Sequence, residues 1–256
     1  MQFEEVLEQA EIELGRLVEK LDPVVSEMSV EQQIVLAIGR HAEELYAGVQ
    51  RECEAGEVAT VMVLLRPVVE DAILVRWIER DVPLHGEMWQ AEDRRNQLTG
   101  AAAFEELRKR RGRPLSVFPS ADAQAMKDDI KAIRRKAVAK HEPINPDKGS
   151  LLPAIEQMVD KTDNALWEAY QIAYRSLSPY THSGGRAFTG YRYDSRSDGI
   201  HLVAGHDWTS LQIKGLAAMT FLMILESVSR VCGLGFDDEG AMIRHLVVTW
   251  PSDPLE

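Results

Sequence analysis

Apolar side chains recur every three or four residues along most of the chain, and this spacing predicts amphipathic helices. The first stripe consists of Phe3, Val6, Leu7, Ala10, Leu14, Leu17 and Leu21, and Pro23 ends it. A second stripe follows Ser29, which forms a capping-box pattern with Gln32 three residues later, and it runs to Gly56. We therefore expect one helix over 3–21 and another from the Ser29 capping box to Gly56.

Two later segments, 58–78 and 209–232, are apolar nearly all round the helical axis. That pattern is typical of a helix surrounded by other helices, so both are expected in the core. Pro67 lies inside the first segment, where its missing amide donor and its ring favour a kink. Gly233 and Gly235 end the second segment.

The remaining segments alternate between helical patterns and breakers. A polar helix is predicted over 85–111, a helix capped by Ser120 over 121–140, and further helices over 151–159, 162–182 and 237–248. Between Gly184 and Gly205 two short β-prone runs flank a Ser–Asp–Gly turn, which predicts a small hairpin.

These elements indicate an all-α protein. We predict a multi-helix bundle of about seven or eight helices, with one small β-hairpin insertion near 186–204. The 256 residues are close to the upper limit for one hydrophobic core, and 45% of them are hydrophobic. A single helical domain over 1–256 is therefore the expected organisation.

Charge is distributed unevenly along the chain. The formal net charge is −12, yet the stretch 108–140 has 11 basic residues against three acidic ones. Such a basic band could bind a polyanion such as RNA, and the alternative is a solvated helix face beside a basic loop. The candidate nucleic-acid-binding residues are Arg108, Lys109, Arg110, Arg111, Arg134 and Arg135.

Several classes of protein are disfavoured by what the sequence lacks. Two cysteines cannot form a disulfide framework, and the first residues do not resemble a secretory signal. The apolar run 216–225 is shorter than the roughly 20 residues that a membrane span needs. The seven histidines show no metal-binding spacing, and no phosphate-binding loop is present. We therefore expect a cytoplasmic protein without a membrane segment, a metal or a cofactor.

The segment 174–182 carries the residues best suited to chemistry. On an α-helix Tyr174, Ser178 and His182 share a face, and Arg175 lies within about 20° of His182 around the axis. Arginine can stabilise a phosphate and histidine can transfer protons near neutral pH, so the pair suits phosphodiester cleavage. Pro179 predicts a kink that either opens this site or moves Arg175 away from His182. In the alternative interpretation these side chains form buried structural contacts.

Arg66 and Glu70 are four residues apart on the predicted central helix. Charged side chains in a core are expected to be paired, with each other or with a neighbouring helix. They either form a polar clasp that fixes the packing of helices around Pro67, or belong to a site in which Glu70 orients His182 or Arg66 binds an anion.

Arg175 followed by six residues and His182 resembles the R-x(4–6)-H signature of the HEPN superfamily. HEPN proteins are all-α and include many toxin and defence ribonucleases as well as inactive members. The same stretch, with the helix around Arg66 and Glu70 and the glycine-rich hairpin, is similar to a group of uncharacterised bacterial proteins.

The resemblance implies a metal-independent ribonuclease or toxin of a defence or toxin–antitoxin system, acting as a homodimer with its site at the dimer interface. Arg175 would stabilise the phosphate charge and His182 would be the general acid or base, with Tyr174, Ser178, Arg66 and Glu70 in support. The alternative is a non-catalytic helical interaction module that binds a protein partner.

Overall fold

The computed structural model describes residues 3–21, 25–113, 116–144, 149–159, 163–174, 191–196, 199–204 and 210–236. The fold is an all-α helical bundle. Its described helices are α1 (Phe3–Glu19), α2 (Val30–Ala55), α3 (Val58–Arg80), α4 (Val82–Arg110), α5 (Ser120–Ala139), α6 (Ile155–Met158), α7 (Asn164–Ala169) and α8 (Ser210–Cys232), with a short 3₁₀ turn at Val25–Glu27.

Two six-residue strands also lie within the described ranges. Strand β1 (Tyr191–Arg196) pairs antiparallel with β2 (Gly199–Ala204), so that Tyr191 is opposite Ala204 and Arg196 is opposite Gly199. Both strands fall inside the range 186–204 in which the sequence predicts an insertion.

The helices form two compact units. The first comprises Met1–Arg76 and Val159–Glu256, and the second comprises Trp77–Met158. The organisation as a single domain stays a prediction.

In the first unit, α8 packs against α1 and α2. Gly39 of α2 brings the two backbones close, since a Cβ atom at this position would lie 3.0 Å from a methyl carbon of Val228. The side chain of Gln32 donates a hydrogen bond of 2.9 Å to the carbonyl of Val231. The fully buried apolar side chains at the centre of this unit include Leu14, Leu17, Val35, Val49, Leu65, Ile73, Phe221, Ile224 and Leu225.

The ends of α2 follow the sequence pattern. The Ser29 hydroxyl accepts a hydrogen bond from the Gln32 amide, and the Gln32 side chain accepts one from the Ser29 amide. The predicted capping box is therefore confirmed. Gly56 ends the helix with φ of 77°, a left-handed conformation that glycine adopts without a steric penalty.

The two helices predicted to be central, α3 and α8, are largely buried. Within the first unit Arg76 of α3 forms an ion pair of 2.9 Å with Glu226 of α8, and both side chains are mostly removed from water. Pro67 lies inside α3, and the kink expected there stays a prediction.

The stretch Leu211–Cys232 is long and apolar enough to cross a membrane by length and composition alone. However, 72% of its most apolar window is buried within the protein, which is typical of a core helix. The absence of a membrane segment stays a prediction.

In the second unit, α4 and α5 run antiparallel. Arg94 bonds Asp129 at 2.7 Å and Lys136 bonds Glu87 at 2.5 Å, so the end of α5 lies beside the start of α4. Helix α4 begins three residues before the predicted boundary because the Asp81 side chain caps it by accepting the Leu84 amide. Pro83 fits there because a proline is tolerated in the first turn of a helix.

Polar contacts hold α4 within the second unit. The His85 ring stacks on Trp77 with 3.9 Å between centroids, and its two nitrogens contact the Trp77 carbonyl and the Glu142 carboxylate at 2.6 and 3.0 Å. The Glu92 carboxylate accepts the Leu151 amide at 2.8 Å and pairs with Arg95.

Two predicted boundaries are wrong. Ser120 does not cap α5: it is the first helical residue, and Pro119 precedes it without a side-chain cap. The helix predicted over 151–159 is only Ile155–Met158, because a residue before proline, here Leu152 before Pro153, is disfavoured in helical conformation.

The helix predicted over 162–182 begins as expected, since the Asp163 side chain caps it by accepting the Leu166 amide. After Ala169 the backbone widens into a π-helical turn over Tyr170–Tyr174. Residues 175–182 and the terminal helix predicted over 237–248 lie outside the described residues.

Candidate functional site

Arg66 and Glu70 form a pair on α3. The Nε of Arg66 donates a hydrogen bond of 3.0 Å to an Oε of Glu70, as expected for residues four apart on a helix. The Arg66 side chain is 11% exposed and that of Glu70 is 38% exposed. Water therefore reaches the carboxylate, whereas the guanidinium is held inside the first unit.

Tyr174 joins this pair from a part of the chain 108 residues away. A terminal nitrogen of Arg66 donates a long hydrogen bond of 3.4 Å to the Tyr174 hydroxyl. The guanidinium carbon also lies 4.9 Å from the centre of the Tyr174 ring, within the range of a cation–π interaction. Arg66 thus connects the central helix to the residue immediately before Arg175.

A stack of aromatic rings holds Tyr174 in place. Trp167 stacks on Tyr170 with 5.6 Å between centroids, and Tyr170 stacks on Tyr174 with 5.5 Å. The last two rings lie within the π-helical turn, a local widening that is rare and often occurs at functional sites.

A histidine–aspartate pair lies next to Glu70 along α3. The Nδ1 atom of His41, on α2, is 2.7 Å from an Oδ atom of Asp71. The His41 side chain is 57% exposed, while that of Asp71 is 13% exposed. One ring nitrogen therefore faces a carboxylate that is mostly removed from water, as in the histidine–carboxylate pairs that orient an imidazole for proton transfer.

The environment of Asp71 favours its neutral form. Burial raises the pKa of this carboxyl to about 6; the hydrogen bond and charge of His41 oppose the shift, and the negative charge of Glu70 adds to it. Asp71 therefore takes up its proton at a higher pH than an ordinary aspartate does, and it remains mostly ionised at pH 7.

Sequence reasoning missed this pair. By its spacing His41 continues the apolar stripe predicted for α2, and a histidine in such a stripe is only a weak signal, although the structure leaves its side chain 57% exposed. Asp71 is 30 residues further along the chain, and nothing in the local sequence connects the two.

We call Arg66, Glu70, Asp71, His41 and Tyr174 the α3 polar cluster. It combines a cation, two carboxylates, an imidazole and a phenol, and these groups can bind an anion and transfer protons. Among the described residues no group of three or more histidine, cysteine or acidic side chains is placed to hold a metal ion.

Of the remaining predicted site residues, Arg175, Ser178 and His182 lie outside the described residues. Their convergence on one helix face stays a prediction. Tyr174 is the first residue of the predicted 174–182 motif and the only one of its candidate site residues that lies within the described ranges.

The six predicted nucleic-acid-binding residues fall into two groups within the second unit. Arg108, Lys109, Arg110 and Arg111 lie at the end of α4, whereas Arg134 and Arg135 lie near the end of α5, close to the contact between Lys136 and Glu87. At about 1.5 Å per helical residue the two groups are roughly 30 Å apart along the antiparallel pair. The structure does not bring them into one patch.

Some of the basic band is neutralised locally. Arg110 pairs with Glu106 at 3.0 Å, and Lys140 lies 3.3 Å from Asp81. Arg134 donates a hydrogen bond of 2.7 Å to the carbonyl of Gly149. Among the six residues, Arg110 in the α4 group is thus paired with a carboxylate, whereas Arg134 in the α5 group is bonded to a neutral carbonyl.

A model of a family of unknown function, DUF5677, matches residues 33–200, which include Arg66, Glu70, Arg175 and His182. No curated protein and no solved structure matches the chain.

Proposed function

Since the chain belongs to DUF5677, a family of unknown function, we propose a function from the site itself: a HEPN-like, metal-independent endoribonuclease. It would act in the cytoplasm as a toxin or defence enzyme of a bacterium. The proposal combines the R-x6-H resemblance at Arg175 and His182 with the geometry of the α3 polar cluster.

The single observation that carries the proposal is the contact between Arg66 and Tyr174. It joins two motifs that lie 108 residues apart in the sequence. Tyr174, the second partner, is the residue immediately before Arg175. A structural clasp between helices would make the same contact, but it would leave RNA cleavage unchanged when the contact is lost. The position of the contact, at the start of the candidate catalytic segment, supports a role in positioning that segment.

The reaction would use the ribose 2′-hydroxyl of RNA as the nucleophile. A bond forms between the 2′-oxygen and phosphorus while the bond from phosphorus to the 5′-oxygen breaks. A base accepts the 2′-hydroxyl proton and an acid gives a proton to the departing 5′-oxygen. His182 would perform one of these transfers, and Arg175 would stabilise the charge on the phosphate.

The experiment compares the parent with Arg175→Ala and His182→Ala on a mixture of structured and unstructured RNAs in the presence of EDTA. We expect the parent to cleave RNA and each variant to be slower by roughly a hundredfold or more, as for the loss of a general acid–base or charge-stabilising group. A parent that leaves these RNAs intact, with both variants indistinguishable from it in growth inhibition, would contradict the proposal.

The alternative is a non-catalytic helical interaction module. Its supporting observation is the exposure of large apolar side chains near the end of α4 and in the segment after it, at Phe104, Leu107 and Val117. Such a module would bind a protein partner and would leave RNA intact. The two candidates therefore make opposite predictions for the same cleavage assay.

A further inference from the structure

An open groove lies at the tip of the α4–α5 pair in the second unit. Its volume is about 580 Å³, within the ~300–1,000 Å³ of typical ligand pockets. One wall is the last part of α4 and the other is the segment that precedes α5. The lining residues are Gln97, Gly100, Ala101, Phe104, Ser116, Val117 and Phe118.

Two aromatic rings line this groove, and one of them is strongly exposed. Phe104 has 46% of its surface accessible to water. Phe118 lines the groove from the other wall. Aromatic side chains beside a positively charged surface are the usual platform on which the bases of single-stranded nucleic acids stack.

Five basic residues lie between the two walls along the chain: Arg108, Lys109, Arg110, Arg111 and Arg113. Arg108 follows Phe104 by four residues, so it lies one helical turn beyond the groove on the same face of α4. The Nε atom of Arg108 is buried and has no hydrogen-bond partner among the described residues. Aromatic rings bordered by cations are complementary to both parts of RNA, its bases and its phosphates.

We propose that this groove binds single-stranded RNA, with bases stacked on Phe104 and Phe118 and phosphates held by the basic residues that begin at Arg108. The proposal rests on the proposed function, because it assigns the place at which the second unit would hold the substrate. It concerns only the Arg108–Arg111 end of the predicted basic band, and it leaves Arg134 and Arg135 out.

The test is fluorescence anisotropy with the full chain and a labelled 2′-O-methyl oligouridylate of twelve nucleotides, which has the bases and phosphates of RNA but lacks the 2′-hydroxyl needed for cleavage. Phe104→Leu keeps an apolar side chain and removes the ring, and it should weaken binding roughly tenfold because one stacked base is lost. Phe104→Tyr keeps the ring and should bind as the parent does.

Two further variants complete the design. Leu107→Ala is a matched control, since Leu107 is exposed to the same extent on the same helix but does not line the groove. It should leave the affinity unchanged. Arg108→Gln should weaken binding and reduce the slope of log affinity against log salt by about 0.7, the value for one lost contact with a single-strand phosphate.

The outcomes separate this proposal from the proposed function. Binding that depends on Phe104, in a protein that cleaves no RNA, supports the groove and overturns the ribonuclease. Cleavage that depends on His182, with unchanged affinity in Phe104→Leu, overturns the groove alone. Binding of an acidic amphipathic leucine–glutamate peptide that survives Phe104→Leu, without binding of the oligonucleotide, would mark the groove as a protein-docking surface and also overturn the proposal.

Discussion

At the scale of single residues, the α3 polar cluster depends on how far each charge is removed from water. Arg66 and Asp71 are largely buried, while their partners Glu70 and His41 extend towards the solvent. Within each pair, substitution of the less exposed partner and substitution of the more exposed partner should therefore have unequal effects on stability.

Asp71→Asn tests the raised pKa of Asp71. Because its folded-state pKa is about 6 against an ordinary 3.8, the folded protein binds more protons than the unfolded chain between these values, and this group's contribution lowers stability as the pH rises. Relative to Asp71→Asn, the free energy of unfolding of the parent should fall by up to about 3 kcal/mol from pH 4 to pH 7. Urea unfolding of both proteins at several pH values measures this difference. A constant difference would contradict the assignment.

Arg66→Met and the double substitution Arg66→Met with Glu70→Leu distinguish a structural role of the Arg66–Glu70 pair from a role in the catalytic site. The single change should cost about 1–2 kcal/mol of stability, because Glu70 loses its partner but remains reachable by water. The double change should recover part of that loss, because no unpaired charge is left. RNA cleavage should fall in both variants. A double variant that keeps both stability and cleavage would remove the site role of Arg66 and Glu70.

At the scale of elements, local signals were predictable from the sequence and contacts between distant segments were not. The capping box of Ser29 and Gln32 is confirmed because both hydrogen bonds lie within four residues. The π-helical turn at Tyr170–Tyr174 was not predicted: its ring stacking is local, but the Arg66 contact with Tyr174 comes from a residue 108 positions earlier in the chain.

The same distinction applies to the candidate site. The pair of Arg66 and Glu70 could be predicted from their spacing of four residues, whereas the pair of His41 and Asp71 could not, because it forms between two helices. The basic band appeared continuous along the chain, but a helical hairpin places its two ends far apart. Spacing in sequence therefore predicts contacts on one helix far better than contacts between helices.

The packing of α2 against α8 can be tested with a pair of glycine substitutions. Gly39→Ala places a methyl group 3.0 Å from Val228, whereas Gly15→Ala in α1 meets nothing within 4 Å. Gly15→Ala should stabilise the protein by about 0.5–1 kcal/mol through helix propensity. Gly39→Ala should be less stable than Gly15→Ala by about 1–3 kcal/mol because of overpacking. Thermal or urea unfolding gives both values, and equal stability would show that α8 moves to accept the methyl group.

At the scale of the whole molecule, the charge differs between the two compact units. The second unit, Trp77–Met158, has 15 basic and 13 acidic residues, so the remaining chain carries 14 basic and 28 acidic ones. Attraction for a polyanion should therefore reside in the second unit, while the acidic first unit contains the α3 polar cluster.

The HEPN resemblance predicts a homodimer. Light scattering on the purified protein should give twice the 28.8 kDa of one chain at micromolar concentration. A mass of one chain under conditions in which RNA is cleaved would show that the site does not need a dimer interface.

The ends of the cleaved RNA test the central claim most directly. Attack by the 2′-hydroxyl without a metal predicts that the parent, in EDTA, leaves 2′,3′-cyclic phosphate and 5′-hydroxyl ends that are absent with His182→Ala. Mass spectrometry of the fragments identifies these ends. Fragments with 3′-hydroxyl and 5′-phosphate ends that disappear in EDTA, or no fragments from the parent at all, would contradict the account.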